Sequence, residues 1–239
     1  MRTVEAHAYI TPQIFILSQL RFSNSILKYL FQTMADFEFS RDNNGNYQAT
    51  IGPANRRVTI QLYGGKVYVD IRDYFTKDCF AKDKVFLPTK RGITLTKFEW
   101  QQIFEHSEQT GTDVVRVYEE LDTEDEVNLP NEVMISEEVS QSVRLFKSPN
   151  AFGPSQLVRI VLSKSKKNNK QVKPSELEFI PIQWYNLFIR NRERINELID
   201  LLEKEASLAA SKRKEDALTA ERSLFQATWS IPTLQQEQH

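Results

Sequence analysis

The sequence predicts an α+β protein in which a group of strands followed by a helix occurs twice. The first indication is residues 64–75, "GGKVYVDIRDYF", where apolar and polar side chains alternate as in a strand with one buried face. The second is a pair of similar segments, "ITLTKFEWQQIF" at 93–104 and "LEFIPIQWYNLF" at 177–188, which align without a gap and match Trp100 with Trp184. Two copies of one unit, forming an internal pseudo-dimer, would explain this similarity, and chance resemblance over twelve residues is the alternative.

The composition restricts the class of function. Of 239 residues, 40% are apolar and 26% charged, and the net charge is −1, so any surface for nucleic acid must be local. The single cysteine, Cys79, excludes a disulfide within the chain and a cysteine-rich zinc site, and the three histidines are far apart in sequence. We expect no metal, no cofactor and no enzymatic activity, because no nucleophile–base pair or metal-ligand spacing is visible.

The N-terminal extension, residues 1–33, contains Arg2, Arg21 and Lys28 but only one acidic residue, Glu5. This composition is typical of a mitochondrial transit segment, and helical spacing of apolar residues over 10–32 predicts one or two helices. The alternatives are a poorly ordered or peripherally docked extension, or a true start at Met34. No run of about 18 apolar residues occurs, so no membrane span is expected.

The first unit is predicted over residues 36–117. Asn44-Gly45 predicts a hairpin between two short strands, and Gly64-Gly65 joins strands at 57–62 and 66–74. A basic loop and a short strand, "GITL", follow. The helix is expected to begin near Thr96, because Thr96 and Glu99 have the spacing of a capping box.

An acidic connector at 118–131 precedes the second unit, predicted over residues 132–205, because like charges at this density repel each other and stay solvated. Strands "QSVRLF" and "QLVRIVLSK" lead to a lysine-rich loop and then to a long helix that runs past residue 203. The loop at 164–173 could contact phosphate, act as a nuclear-import patch, or be an ordinary solvated loop. The tail, residues 206–239, is expected to extend the helix and then to be disordered.

The strand at 66–74 has an unusual polar face. Val67, Val69 and Ile71 lie on one side, and the other carries Lys66, Tyr68, Asp70, Arg72 and Tyr74. Cations neutralise phosphates and aromatic rings stack on unpaired bases, so this alternation suits a single-stranded nucleic acid. Asp70 could hold Arg72 or Lys66 in place. The alternative is a solvated strand with cross-strand ion pairs.

Three separated blocks resemble the C-terminal domain of the positive cofactor four (p15) family, transcriptional coactivators that bind single-stranded DNA. The blocks are a Gly-Lys-Val strand running into Asp-Ile-Arg-Asp-Tyr-aromatic, a Pro-x-basic-basic-Gly-Ile-Thr-Leu segment, and a tryptophan on the following helix. In this chain they are residues 65–67 with 70–75, Pro88 with 90–95, and Trp100. The resemblance spans residues 50–110.

The resemblance implies a curved four-stranded antiparallel sheet backed by one helix, with two such units paired through their helices. Matching positions imply nucleic-acid contacts from Arg56, Lys66, Arg72, Lys90 and Arg91, with Phe75 as a stacking ring. Gln61 and Gly64 stand where the family has further basic residues, and Phe75 replaces a tryptophan, so we expect a weaker groove. The second unit has Pro174, Ser175 and Glu176 in place of the Lys-Arg-Gly block, which indicates a structural partner with a decayed or different site.

The expected function is to bind single-stranded or melted DNA as a transcriptional coactivator or regulator in the nucleus, with replication or repair as other settings. The mitochondrion is the alternative location, from the N-terminal composition. The expected partners are DNA and the transcription machinery, with no membrane, in a homodimer or internal pseudo-dimer. The competing hypothesis is an assembly scaffold that uses a helix seam, the acidic connector and the tail. The seam, between units or between chains, is predicted to contain Trp100, Trp184, Leu187 and Ile195.

Overall fold

The computed structural model describes residues 37–51, 55–77, 85–122, 127–147, 156–165 and 173–229. These residues form two antiparallel meander sheets with helices, which confirms the α+β class. The first sheet contains β1 (Ser40–Arg41), β2 (Tyr47–Thr50), β3 (Arg56–Tyr63), β4 (Lys66–Thr76) and β5 (Phe86–Thr96), followed by α1 (Lys97–Asp122). The second contains β6 (Val133–Met134), β7 (Val139–Lys147), β8 (Gln156–Lys164) and β9 (Ser175–Phe179), followed by α2 (Pro181–Tyr185), a π-helical turn (Asn186–Arg190) and α3 (Arg192–Trp229).

Glycine-dependent turns set the register of the first sheet. Gly64 and Gly65 have φ values of 58° and 77°, and Tyr63 pairs with Lys66, so β3 and β4 are joined by the two-residue hairpin that the sequence predicts. Gly45 has φ 82° in the β1–β2 turn, where the Asp42 carboxylate accepts hydrogen bonds from the backbone N–H groups of Asn44 and Asn46. The sheet has five strands and not the four expected, because β1 adds a two-residue edge strand.

Strand β5 is longer than the sequence suggests. It begins at Phe86 and includes the end of the predicted basic loop, with Pro88, Lys90 and Arg91. Arg72 pairs with Gly92 and Tyr74 with Pro88, so residues 89–91 lie opposite Asp73 alone in a β-bulge. The basic residues of this segment therefore have a defined place at the edge of the sheet.

Helix α1 begins with the predicted capping box. The Thr96 backbone N–H donates to Oε2 of Glu99 at 2.8 Å, and the Glu99 backbone N–H donates to Oγ1 of Thr96 at 3.2 Å. The helix continues to Asp122, so the first residues of the predicted acidic connector are helical, and Tyr118 and Leu121 pack against the core. That part of the connector is not a solvated linker.

The two units share one core. Trp100, Trp184, Leu187 and Ile195 are all almost completely buried. The rings of Trp100 and Phe188 stack with centroids 5.0 Å apart, and those of Trp184 and Phe188 are 4.1 Å apart. Helix α3 also packs against β3 and β4 of the other unit. The predicted helix seam therefore lies within a single chain.

Two polar contacts tie the units together in a nearly symmetric way. Arg56 donates from Nη1 to the backbone oxygen of Glu178 at 2.6 Å, and Lys164 donates from Nζ to the backbone oxygen of Thr94 at 2.8 Å. Thr94 and Glu178 both lie one residue before the last core residue of β5 and β9, respectively. The arrangement is that of the internal pseudo-dimer expected from the sequence.

Several expectations concern residues outside the described ranges. They are the N-terminal extension at 1–33, the middle of the lysine-rich loop at 166–172, and the end of the tail at 230–239. The predicted extension of the last helix is confirmed, since α3 reaches Trp229. No helix in the described part of the chain has the length and apolar character needed to cross a bilayer.

Candidate nucleic-acid interface

The polar side of the first sheet faces away from the core. Val67, Val69 and Ile71 are buried, whereas the alternate residues of β4 point to the opposite side. We call this side the first face; its members are Arg57, Thr59, Gln61 and Tyr63 of β3, Lys66, Tyr68, Asp70, Arg72 and Tyr74 of β4, and Phe86, Gly92 and Thr94 of β5. The alternation predicted for this strand is therefore confirmed.

Arg72 is held flat against the first face. Its Nε and Nη2 donate to the two carboxylate oxygens of Asp70, both at 3.0 Å, and its Nη1 donates to the backbone oxygen of Thr89 at 2.9 Å. Thr94 donates a further hydrogen bond of 2.6 Å to Asp70. Asp70 therefore positions Arg72, which is one of the two residues that the sequence suggests it could hold.

Gly92 makes this position possible. A β-carbon at residue 92 would lie 2.9 Å from both Cγ and Cζ of Arg72, closer than real contacts allow. The absence of a side chain thus creates the space in which the guanidinium group lies.

The charge on Arg72 is secure but partly balanced. The hydrogen bonds from its side chain to Asp70 raise the pKa of Arg72 above its ordinary value, so the group is a permanent cation. Three of its five N–H groups are used within the protein, which leaves two that can reach a phosphate. Asp70 fixes the position of the Arg72 guanidinium group but offsets part of its positive charge.

Three further cations lie on the first face or beside it. Lys66 is exposed at the hairpin end of β4, about 20 Å along the strand from Arg72. Lys90 and Arg91 lie on the bulge of β5, where the Arg91 backbone N–H donates to Oγ1 of Thr89. The Arg91 side chain is 63% exposed, with its Nε 3.7 Å from Asp73. All three are accessible to a strand crossing the sheet.

Arg57 belongs to the first face and was not among the predicted contacts. It pairs in register with Arg72, and its guanidinium carbon lies 4.7 Å from the ring centre of Tyr74 and 4.6 Å from that of Phe86. The signal that could have found it is the hairpin at Gly64-Gly65, since counting back from that turn places Arg57 opposite Arg72.

Arg56 does not lie on the first face. It is 6% exposed, and its guanidinium group pairs with Asp73 at 2.7 Å and lies 4.9 Å from the ring centre of Phe179. Because side chains alternate along a strand, Arg56 points to the side of Val58. It serves as a tie between the two units, and we leave it out of the proposed interface.

Phe75 also differs from the expectation. It pairs with Leu87 and, by alternation, lies on the side of the hairpin opposite to Arg72 and Tyr74. It is 47% exposed, but a strand bound on the first face would not reach it. The aromatic residues on that face are Tyr63, Tyr68, Tyr74 and Phe86.

An open groove of about 760 Å³ runs from the first face to the second unit. Tyr68, Arg72, Lys90 and Thr94 line one side, and Glu138, Lys164, Ser165 and Ser175 line the other. Lys164 is bonded at 3.0 Å to Oε2 of Glu99. Burial raises the pKa of Glu99, but the hydrogen bonds from Thr96 and Lys164 outweigh it and the net pKa is lowered. The charge of Lys164 is therefore largely neutralised within the protein.

The described residues thus define a class: an α+β pseudo-dimer with cations and aromatic rings on one side of a sheet and a groove beside it. Residues 53–106 match the family described as Transcriptional Coactivator p15 (PC4). The match contains β3, β4 and β5, which form the first face, and the beginning of α1. The resemblance noted in the sequence is confirmed over these residues.

Two relatives from Arabidopsis thaliana match part of the chain. "RNA polymerase II transcriptional coactivator KIWI" is 37% identical over 54 residues, which are 23% of this chain and 46% of that protein. "RNA polymerase II transcriptional coactivator KELP" is 51% identical over 45 residues, which are 19% of this chain and 24% of that protein. The chain therefore spans less than half the length of either relative. No solved structure matches the chain.

Proposed function

We propose that this protein binds single-stranded or melted DNA on the first face and acts as a transcriptional coactivator or regulator. The observation that supports this most is the position of Arg72, held flat over Gly92 by Asp70 within reach of Tyr68 and Lys90. Cations on the first face and on the bulge neutralise phosphates, while Tyr68 and Tyr74 offer rings on which unpaired bases stack. A duplex cannot use these rings, because its bases are already stacked on each other.

The role in transcription rests on the relatives. Both are named RNA polymerase II transcriptional coactivators, and the family match at residues 53–106 contains the strands of the first face. By extension we propose that the protein works in the nucleus with the transcription machinery, as a binding protein and not as an enzyme. Action in replication or repair would use the same surface.

Fluorescence anisotropy with single-stranded and duplex oligonucleotides of equal length, measured over a salt series, tests the proposal. We expect tighter binding of the single strand and a loss of affinity with salt of about 0.7 log units per log unit of salt for each phosphate contacted. The informative variant is K66A/K90A/R91A, which removes three exposed cations. Arg72 is retained, since its loss would leave Asp70 buried without its ion pair.

We expect the triple variant to bind at least about tenfold more weakly at low salt and to lose about 2 units of salt slope, from three phosphate contacts. The matched control is K204A/K212A/R213A, which removes the same charge from exposed positions on α3. Undetectable binding by the unmodified protein at low salt, or equal losses in the two variants, would refute the proposal.

A second candidate function, an assembly scaffold, is favoured by the end of α3. Residues 207–225 are exposed over a length of about 28 Å, and Leu208 and Leu218 are among them. The seam itself is filled within the chain, so a protein partner would use this projecting segment. Association with a partner that survives high salt and is lost in L208E/L218E, without any DNA binding, would select this function.

A further inference from the structure

The two sheets can be compared position by position through their hydrogen-bond registers. Leu95 and Phe179 are the last buried residues before the two helices, and they pair with Val69 and Ile160. Counting from these anchors along the paired strands matches each residue of the first face with one in the second sheet. We call the matching side of the second sheet the second face.

The cluster around Arg72 is replaced on the second face. The pair Arg72 and Gly92 corresponds to Ser163 and Glu176. The pair Asp70 and Thr94 corresponds to Val161 and Glu178, and Arg57 corresponds to Ser140. Both arginines are lost, and two carboxylates stand where the first face has a glycine and a threonine.

The charge balance of the two faces differs as a result. The second face has its own arginines, Arg144 and Arg159, but Glu176 and Glu178 balance them. Arg144 donates to Oε1 of Glu176 at 2.9 Å, and this hydrogen bond lowers the pKa of Glu176, so the carboxylate stays charged. The first face has Arg57, Lys66 and Arg72 against one carboxylate, Asp70, and the bulge adds Lys90 and Arg91. Only the first face has an excess of positive charge.

We infer that Glu176 and Glu178 exclude the polyanion from the second face, so that each chain binds a single strand on one sheet only. A phosphate placed where Arg72 offers N–H donors would meet the Glu176 carboxylate on the second face and be repelled. The second unit completes the core and one wall of the groove without binding a strand of its own. The inference rests on the proposed function and specifies its stoichiometry.

The test is a titration of the full chain with a single-stranded oligonucleotide of about 8 nucleotides, within the site size of one binding domain. Anisotropy is recorded at protein concentrations far above the dissociation constant, and the complex mass is measured by native mass spectrometry. We expect one oligonucleotide per chain and less than a twofold change in affinity for R144A/R159A, against at least a tenfold loss for K66A/K90A/R91A. Two oligonucleotides per chain, or an equal loss in R144A/R159A, would overturn the inference while leaving the proposed function intact. If the full chain shows no detectable binding of the oligonucleotide, both the inference and the proposed function are wrong.

A gain-of-binding variant examines the carboxylates directly. E176Q/E178Q keeps the size of both side chains and removes two negative charges from the second face. We expect a second oligonucleotide to bind at low salt and to be lost in E176Q/E178Q/R144A/R159A. If the far-ultraviolet spectrum is unchanged and the stoichiometry stays at one, repulsion by these carboxylates is not the cause of the asymmetry and the inference is wrong.

Discussion

Gly92→Ala should displace Arg72 from the first face. The added β-carbon would lie 2.9 Å from Cγ and 3.0 Å from Cβ of Arg72, and these atoms near the backbone cannot move far. The guanidinium group must then swing away and lose its bonds to Asp70 and to the backbone oxygen of Thr89. Asp70, only 7% exposed, would keep just the hydrogen bond from Thr94.

The expected cost follows from those lost contacts. Hydrogen bonds to charged groups contribute about 1.5–3 kcal/mol each, and partial rescue by water reduces the total, so we expect the free energy of unfolding to fall by about 2 kcal/mol. The affinity for single-stranded DNA should fall about threefold to tenfold, and the salt slope should decrease by about 0.7 because one phosphate contact is lost. Urea unfolding and anisotropy measure the two effects.

The control is Gly111→Ala in α1, where nothing lies within 4 Å of the added carbon. This change should stabilise the protein by about 0.5–1 kcal/mol, because alanine favours the helix. In an Arg72→Ala background the clash is absent, so Gly92→Ala should cost almost nothing. An undiminished cost in that background would show that Arg72 is not the reason for glycine at this position.

Three more predictions concern acid stability, the core and the stacking rings. The pKa of Glu99 is lower in the folded than in the unfolded state. The stability that the charged carboxylate contributes is therefore present above its ordinary pKa of about 4.3 and disappears as pH falls through the folded value. E99Q should flatten the acid limb of a pH–stability curve, and an unchanged limb would contradict this. Trp100→Ala should lower the free energy of unfolding by about 3–5 kcal/mol in urea, because the side chain is fully buried at the seam between the units; a loss below about 1 kcal/mol would contradict the shared core. Tyr68→Ala should weaken binding of single-stranded DNA by about 1–3 kcal/mol, whereas Phe75→Ala should leave it unchanged, and the reverse order in anisotropy would show that the wrong rings have been assigned.

Much of the fold could be predicted from short-range patterns. The alternation in β4, the turn at Gly64-Gly65 and the capping box of Thr96 with Glu99 each depend on residues within a few positions of one another. The repeated entry into a helix through Trp100 and Trp184 was visible for the same reason. These features are local, so neighbouring residues determine them wherever the segment lies in the molecule.

The site required information that short-range patterns do not contain. Arg56 and Phe75 have the residue types of a nucleic-acid contact, yet their position in the register directs them away from the first face. Residues 89–91 look like part of a loop in the sequence, but in the structure they form a bulge within the edge strand β5. Backbone pairing with β4 places them there, and that pairing is a long-range interaction.

The sequence by itself determined the α+β class, the strand–helix units, their turns and the resemblance of residues 50–110 to the coactivator family. Only the tertiary structure decided that the seam closes within one chain, that Arg57 joins Arg72 on the first face, and that Glu176 and Glu178 occupy the matching places on the second. The physical reason is that hydrogen-bond register and helix packing bring together residues far apart in the chain. Whether a charged side chain meets solvent, a partner carboxylate or a buried ring depends on those pairings.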